Sequence, residues 1–234
     1  MPGRRQTRPP LVLPRTEVLE GIESSLTRFV GLVDSLSEQE WTAPTRCEGW
    51  QVRDVAGHVA GLFADVAVGR MRGQGLPEVT ARQAAERHDR TPAEVAGELA
   101  RAGRLCLRVL DGYDDDAWAA RAPGGFPGPL RRAVLVLWYE LYLHADDVRH
   151  ALRRSSEHGP GLRASVVHVA ETLGLWGWGP ATLKLTDLEE LPIRGGGPEV
   201  TGEPLDFLLT ATGRRAPELM GLDKNVNVYR EVVS

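Results

Sequence analysis

The chain has 234 residues, 42% of them hydrophobic and 26% charged, with a formal net charge of −4 and a mean hydropathy of −0.25. This composition describes an ordinary globular protein able to bury about 70% of its unfolded surface, and it excludes disordered, collagen-like and membrane-spanning classes. The acidic balance argues against nucleic acid as a partner, and two cysteines, Cys47 and Cys106, cannot build a disulfide framework.

Residues 1–14 are rich in Pro and Arg without periodicity and are expected to form a flexible arm. No apolar stretch follows Arg4 and Arg5 before the prolines, so no secretory signal is expected and the protein is read as cytoplasmic. From residue 16 to 36, Val18, Ile22, Leu26, Phe29, Val33 and Leu36 recur at threes and fours, which predicts an amphipathic helix capped by Thr16. Pro44 and Gly49 break the pattern, and Val52, Val55, Val59, Leu62 and Val66 restore it up to Gly69. Thr91, Pro92 and Glu94 form a helix start that leads through Val95, Leu99 and Leu105. After a loop between Asp111 and Pro129, a last long helix is expected over residues 130–154. Beyond Gly159 come a shorter helix at 162–175, a strand at 182–186, a glycine turn at 195–197, a helix from Pro204 to Gly213 and a final strand at 225–229. The fold class is therefore α+β, mainly α. It divides into the arm at 1–14, a four-helix bundle at 15–157 and a small α/β domain at 158–234.

Polar residues interrupt two apolar helix faces at His58, Glu140 and His144. Buried ionisable groups are costly unless paired or bound to metal. His58 follows Val55 by three and precedes Leu62 by four; Glu140 and His144 are one turn apart among Leu137, Leu141 and Val148. Two imidazoles and a carboxylate make a three-ligand set of the kind that leaves a position open for water or substrate. An i, i+4 Glu/His pair is also commonplace on solvated faces, and it is the apolar setting that argues for a metal. Zinc is expected, since nitrogen and carboxylate ligands suit it and no thiolate ligand is at hand; nickel or iron suits the same set. Asp147, three residues after His144, is placed either to orient a ligand imidazole or to pair on the surface with Arg149 or Arg154. Cys47 and Cys106 are read as packing residues, and Trp41 and Trp50 as staples of the loop before the second long helix.

The stretch Trp41, Pro44, Thr45, Cys47, Gly49, Trp50, Val52, Asp54, Val55 and His58 resembles a signature of the mycothiol-dependent maleylpyruvate isomerase family. Glu140, His144 and Asp147 are similar to its second motif, and residues 200–209 with Gly213 and Arg214 to its C-terminal pattern. The resemblance implies a DinB-like four-helix bundle, a divalent metal held by His58, Glu140 and His144, and mycothiol as thiol co-substrate. It makes Asp147 an acid near the metal and thiol, and Arg214 an arginine that closes over the site. A further arginine between the second and third long helices is implied, for which Arg82, Arg87 and Arg90 are candidates. The function so implied is isomerisation of, or S-transfer to, a small electrophile by a monomer or homodimer. Two other functions stay open: a metal-dependent hydrolase, and a non-catalytic binding module.

Overall fold

Pro14, not Thr16, stands at the N-cap of α1 (Arg15–Asp34): its φ of −56° is close to the helical value, and its carbonyl accepts the Val18 N–H at 3.1 Å. The computed structural model describes residues 11–229, so the arm expected at 1–14 lies outside the described residues except at 11–14. Those four residues have no regular structure, and Leu13 is buried. Contacts divide the chain into two units, one of residues 14–157 and one of residues 158–229 with 11–13.

In the larger unit the long helices are α1, α3 (Val52–Ala67), α5 (Pro92–Asp111) and α7 (Leu130–Ala151). Each packs on two others: α1 on α5 and α7, and α3 on α5 and α7, which closes a four-helix ring around an apolar centre. Ile22, Phe29, Val33, Val55, Val59, Leu99, Leu141 and Val148 fill it at 1% exposure or less, on the faces predicted by their spacing, and Phe63, outside the predicted stripe, is buried with them. Trp138 is buried beside them and donates its indole N–H to Ser25 Oγ at 3.0 Å. Thr91 and Glu94 form the capping box expected for α5.

Three short helices were not anticipated: α2 (Glu38–Trp41), α4 (Pro77–Ala85) and α6 (Asp115–Ala119). The last lies within what sequence reasoning takes as a loop. Its Asp114 cap and buried Trp118 hold a single turn too short to show periodicity.

The smaller unit contains α8 (Pro160–Leu175), β1 (Ala181–Leu185), β2 (Leu191–Ile193), β3 (Glu199–Gly202) and α9 (Pro204–Ala211). The sheet order is β2-β1-β3, with β1 antiparallel to β2 and parallel to β3. Ala181, Leu183 and Leu185 turn inward, and α8 packs on α9 and β2. The strand expected at 225–229 is absent from the described residues. Val226 and Val228 are buried in alternation, but the segment is made of turns, with Val226 N–H bonded to the Asp223 carbonyl at 3.1 Å and Val228 N–H to the Ala211 carbonyl of α9 at 2.8 Å. Among the described residues, no helix is long and apolar enough to cross a membrane.

Candidate functional site

The chain before α3 turns sharply at Gly49, whose φ of 76° suits glycine, and the Thr45 N–H closes the turn on the Trp50 carbonyl at 2.9 Å. Gln51 and Asp54 then cap α3. The turn brings Arg46 and Cys47 to α7, while α3 carries His58 inward on its apolar face. Along α3, Gly61 lets α4 come close. A Cβ there would lie 2.6 Å from Gln83 Cβ, so only glycine at 61 allows Gln83 to stand where it does.

Glu140 Oε2 is 3.1 Å from His58 Nε2 and 3.1 Å from His144 Nε2. The two imidazole planes are nearly perpendicular, with centroids 5.1 Å apart, and Trp50 lies edge-on to His58 at 5.7 Å. Both histidines are 6% exposed. The far nitrogens are taken by outer partners: His144 Nδ1 meets Asp147 Oδ2 at 2.9 Å and His58 Nδ1 meets Gln83 Oε1 at 2.9 Å. Asp147 is fully buried and also receives Arg46 Nε at 2.7 Å and the Cys47 thiol at 3.3 Å; Arg46 Nη2 reaches Asp146 at 2.5 Å. Asp147 therefore pairs with Arg46, not with Arg149 or Arg154.

The electrostatics follow from these contacts. Burial alone would raise the Glu140 pKa, but hydrogen bonds from His144 and His58 and their charge hold it well below the usual carboxylate range. Burial alone would lower His144. Hydrogen bonds with Asp147, Cys47 and Glu140 and the charge of Glu140 push it well above the ordinary imidazole value instead. Cys106 is a core thiol pushed up to about 12 by burial.

Hydrogen-bond polarity tests whether these residues fit a metal. A carboxylate only accepts, so Asp147 assigns the proton of His144 to Nδ1 and leaves Nε2 turned toward Glu140. The chosen atoms of His58, Glu140 and His144 all lie within 4.8 Å of one another. Electron-pair donors aimed at one point inside an apolar bundle are stable when both imidazoles are protonated or when a cation joins them. The set fits a divalent metal with nitrogen and oxygen ligands, oriented by outer hydrogen bonds in the usual way.

Two expectations are revised. A thiol is at hand after all: Cys47, His144 and Asp147 bring donor atoms within 4.8 Å of one another, so Cys47 borders the donor set instead of merely packing a loop. None of the three candidate arginines is directed at the imidazoles. Arg82 pairs with Asp65 and Glu86, Arg87 and Arg90 with Glu98. The arginine bonded to the site is Arg46, which stands within the recognised motif but carries no periodic signal. Gln83 was likewise missed. Trp41 does act as a staple, donating its indole N–H to the Arg90 carbonyl at 3.0 Å. A cavity of about 610 Å³ opens two turns along α3 from His58, beside Asp65, Arg70, Gln74 and Arg82. The one carboxylate that lines this cavity from α3, Asp65, is already bound by Arg70, Arg82 and Gln74. In the smaller unit, Arg214 follows α9, with its Nη1 donating to the Thr212 carbonyl at 3.2 Å and its backbone N–H to the Leu209 carbonyl at 2.8 Å.

No curated protein matches the chain. Two solved structures do: the crystal structure of the mycothiol-dependent maleylpyruvate isomerase, with a TM-score of 0.63, and that of a histidine-to-alanine mutant, with a TM-score of 0.62. Each is 17% identical, with 87% of this chain and 91% of the other covered, so the likeness is one of fold. Residues 22–149, more than half of the chain, match the mycothiol maleylpyruvate isomerase N-terminal domain. By the span of that match, and with its bundle, the chain belongs to the mycothiol maleylpyruvate isomerase N-terminal domain family.

Proposed function

We propose that the protein is a metal-dependent enzyme that uses mycothiol to isomerise a small electrophilic substrate in the cytoplasm. The observation that carries this is the meeting of two imidazole nitrogens and one carboxylate oxygen inside an otherwise apolar bundle, in a chain of this family. His58, Glu140 and His144 would hold the metal, with zinc the best match to the donor set. When bound, zinc supplies positive charge that lowers a thiol's pKa from about 8.5 and makes thiolate available at neutral pH.

The chain's own residues do the remaining work. Glu140 offsets one unit of charge, and Asp147 keeps the His144 proton on Nδ1 while Arg46 keeps Asp147 from turning. The thiolate sulfur adds to the carbon β to a carbonyl, and the electron pair of the carbon–carbon double bond moves toward the carbonyl oxygen as an enolate, leaving a single bond. Rotation about it, return of the electron pair and expulsion of the thiolate then give the other geometric isomer. The same addition followed by protonation of the enolate carbon, with no expulsion, is S-transfer. Product analysis with mycothiol and a panel of small electrophiles, cis-configured conjugated carbonyl compounds and hydrolysable esters and amides among them, tests the proposal: turnover is expected only when mycothiol is added, and equal turnover without thiol would overturn it, with cleavage products pointing to hydrolysis.

Arg214 is proposed to orient a carboxylate of the substrate. Guanidinium–carboxylate pairs are bidentate and directional, so Arg214→Ala is expected to raise KM or lower kcat about 10-fold or more while metal content stays the same. Unchanged steady-state kinetics would remove Arg214 from the site.

A further inference from the structure

We propose that Gln83, held by Asp65, is a positioning residue that decides which ring nitrogen of His58 carries the proton, keeping it on Nδ1 and leaving the Nε2 electron pair facing Glu140. This rests on the metal-site proposal above. The argument follows hydrogen-bond polarity inward from Asp65. That side chain is 3% exposed, and although burial raises its pKa, hydrogen bonds from Gln83, Arg82 and Gln74 and the charge of Arg82 bring it below the ordinary value. At neutral pH it is an ionised group that only accepts.

The Gln83 amide must therefore turn its NH₂ toward Asp65, and Nε2 lies 2.9 Å from Asp65 Oδ2. The second amide proton is directed at Gln74 Oε1, also at 2.9 Å. With both donors committed, Gln83 offers His58 only its carbonyl oxygen, 2.9 Å from Nδ1. Nδ1 must then carry a proton, and Nε2 is the nitrogen left to face Glu140. Gln83 is 1% exposed, so water is not available to substitute for either partner. A flipped amide would aim N–H at Nδ1 and drive the His58 proton to Nε2, between the imidazole and Glu140, where a metal would have to displace it. Gln83 thus does for His58 what Asp147 does for His144, with a neutral amide backed by a carboxylate in place of a carboxylate alone.

The experiment combines zinc competition against a chromogenic chelator with ¹⁵N NMR of the imidazole nitrogens, on the wild type, Gln83→Leu and the double variant Gln83→Glu/Asp65→Asn. Gln83→Leu is expected to weaken zinc binding about 10- to 100-fold and to reduce the His58 population protonated at Nδ1. The double variant reverses the hydrogen bond between residues 83 and 65 but keeps an acceptor oxygen facing His58 Nδ1, so it is expected to recover most of the zinc affinity; a purely space-filling role for Gln83 predicts no such recovery. Zinc binding by Gln83→Leu as tight as wild type would overturn the proposal, as would a wild-type His58 lacking the Nδ1 proton. A wild type that takes up no zinc would refute the metal-site proposal, and the Nδ1 signal would still decide the role of Gln83. If Gln83→Leu does not fold, the wild-type signal and the double variant decide it.

Discussion

Replacing His144 with alanine is expected to reduce zinc affinity by more than about 100-fold, beyond the 10- to 100-fold that loss of an outer partner costs. His144 is the residue on which the site's contacts converge. It supplies one of three donor atoms, meets Glu140 through Nε2 and meets Asp147 through Nδ1. Its removal would leave two ligands, fewer than the three that an open zinc site takes from the protein. The bundle should survive, because Glu140 keeps His58 and Asp147 keeps Arg46 and Cys47. Metal analysis of the two purified proteins beside their circular dichroism checks this, and equal stoichiometric metal in both would contradict it.

The second large effect is on stability. Asp147 is fully buried and has Arg46, Cys47 and His144 among its polar partners, so Asp147→Ala strands part of each. Removing one member of a buried ion pair costs about 3–5 kcal/mol, and the lower end, about 3 kcal/mol, is expected because Arg46 also holds Asp146. Asp147→Asn keeps the volume and one acceptor and is expected to cost less. Urea denaturation of the metal-free proteins measures both; a loss under about 1 kcal/mol for the alanine variant would mean that the Arg46 contact contributes little.

His58, Glu140 and His144 were legible because each breaks an apolar stripe on a helix long enough for the stripe to show. Asp147 was legible through its three-residue offset from His144. Gln83 and Arg46 were not, and the reason is physical. Gln83 sits on a nine-residue helix whose approach depends on Gly61, a tertiary fact that no local pattern encodes. Arg46 lies in irregular chain whose direction is set by the Gly49 turn. The three candidate arginines looked alike in sequence, and only the fold reveals that Asp65, Glu86 and Glu98 have claimed them. The bundle itself was readable from periodicity. The last predicted strand failed because alternating burial arises equally in a run of turns packed on a helix, and pairing needs a neighbour that Val226 and Val228 do not have in the described sheet.

The sequence separations within the site bear on how the protein acquires it. His58 and Glu140 are 82 residues apart, and Arg46 and Asp147 are 101 apart. Contacts across such spans repay their loop-closure entropy only late in folding, after local helices have formed. During synthesis the loop motif and α3 leave the ribosome long before α7 exists, carrying one histidine of the donor set and an Arg46 with neither Asp146 nor Asp147 to meet. On the metal-site proposal, the nascent chain consequently holds only part of the donor set, and docking of α7 is the event that completes it.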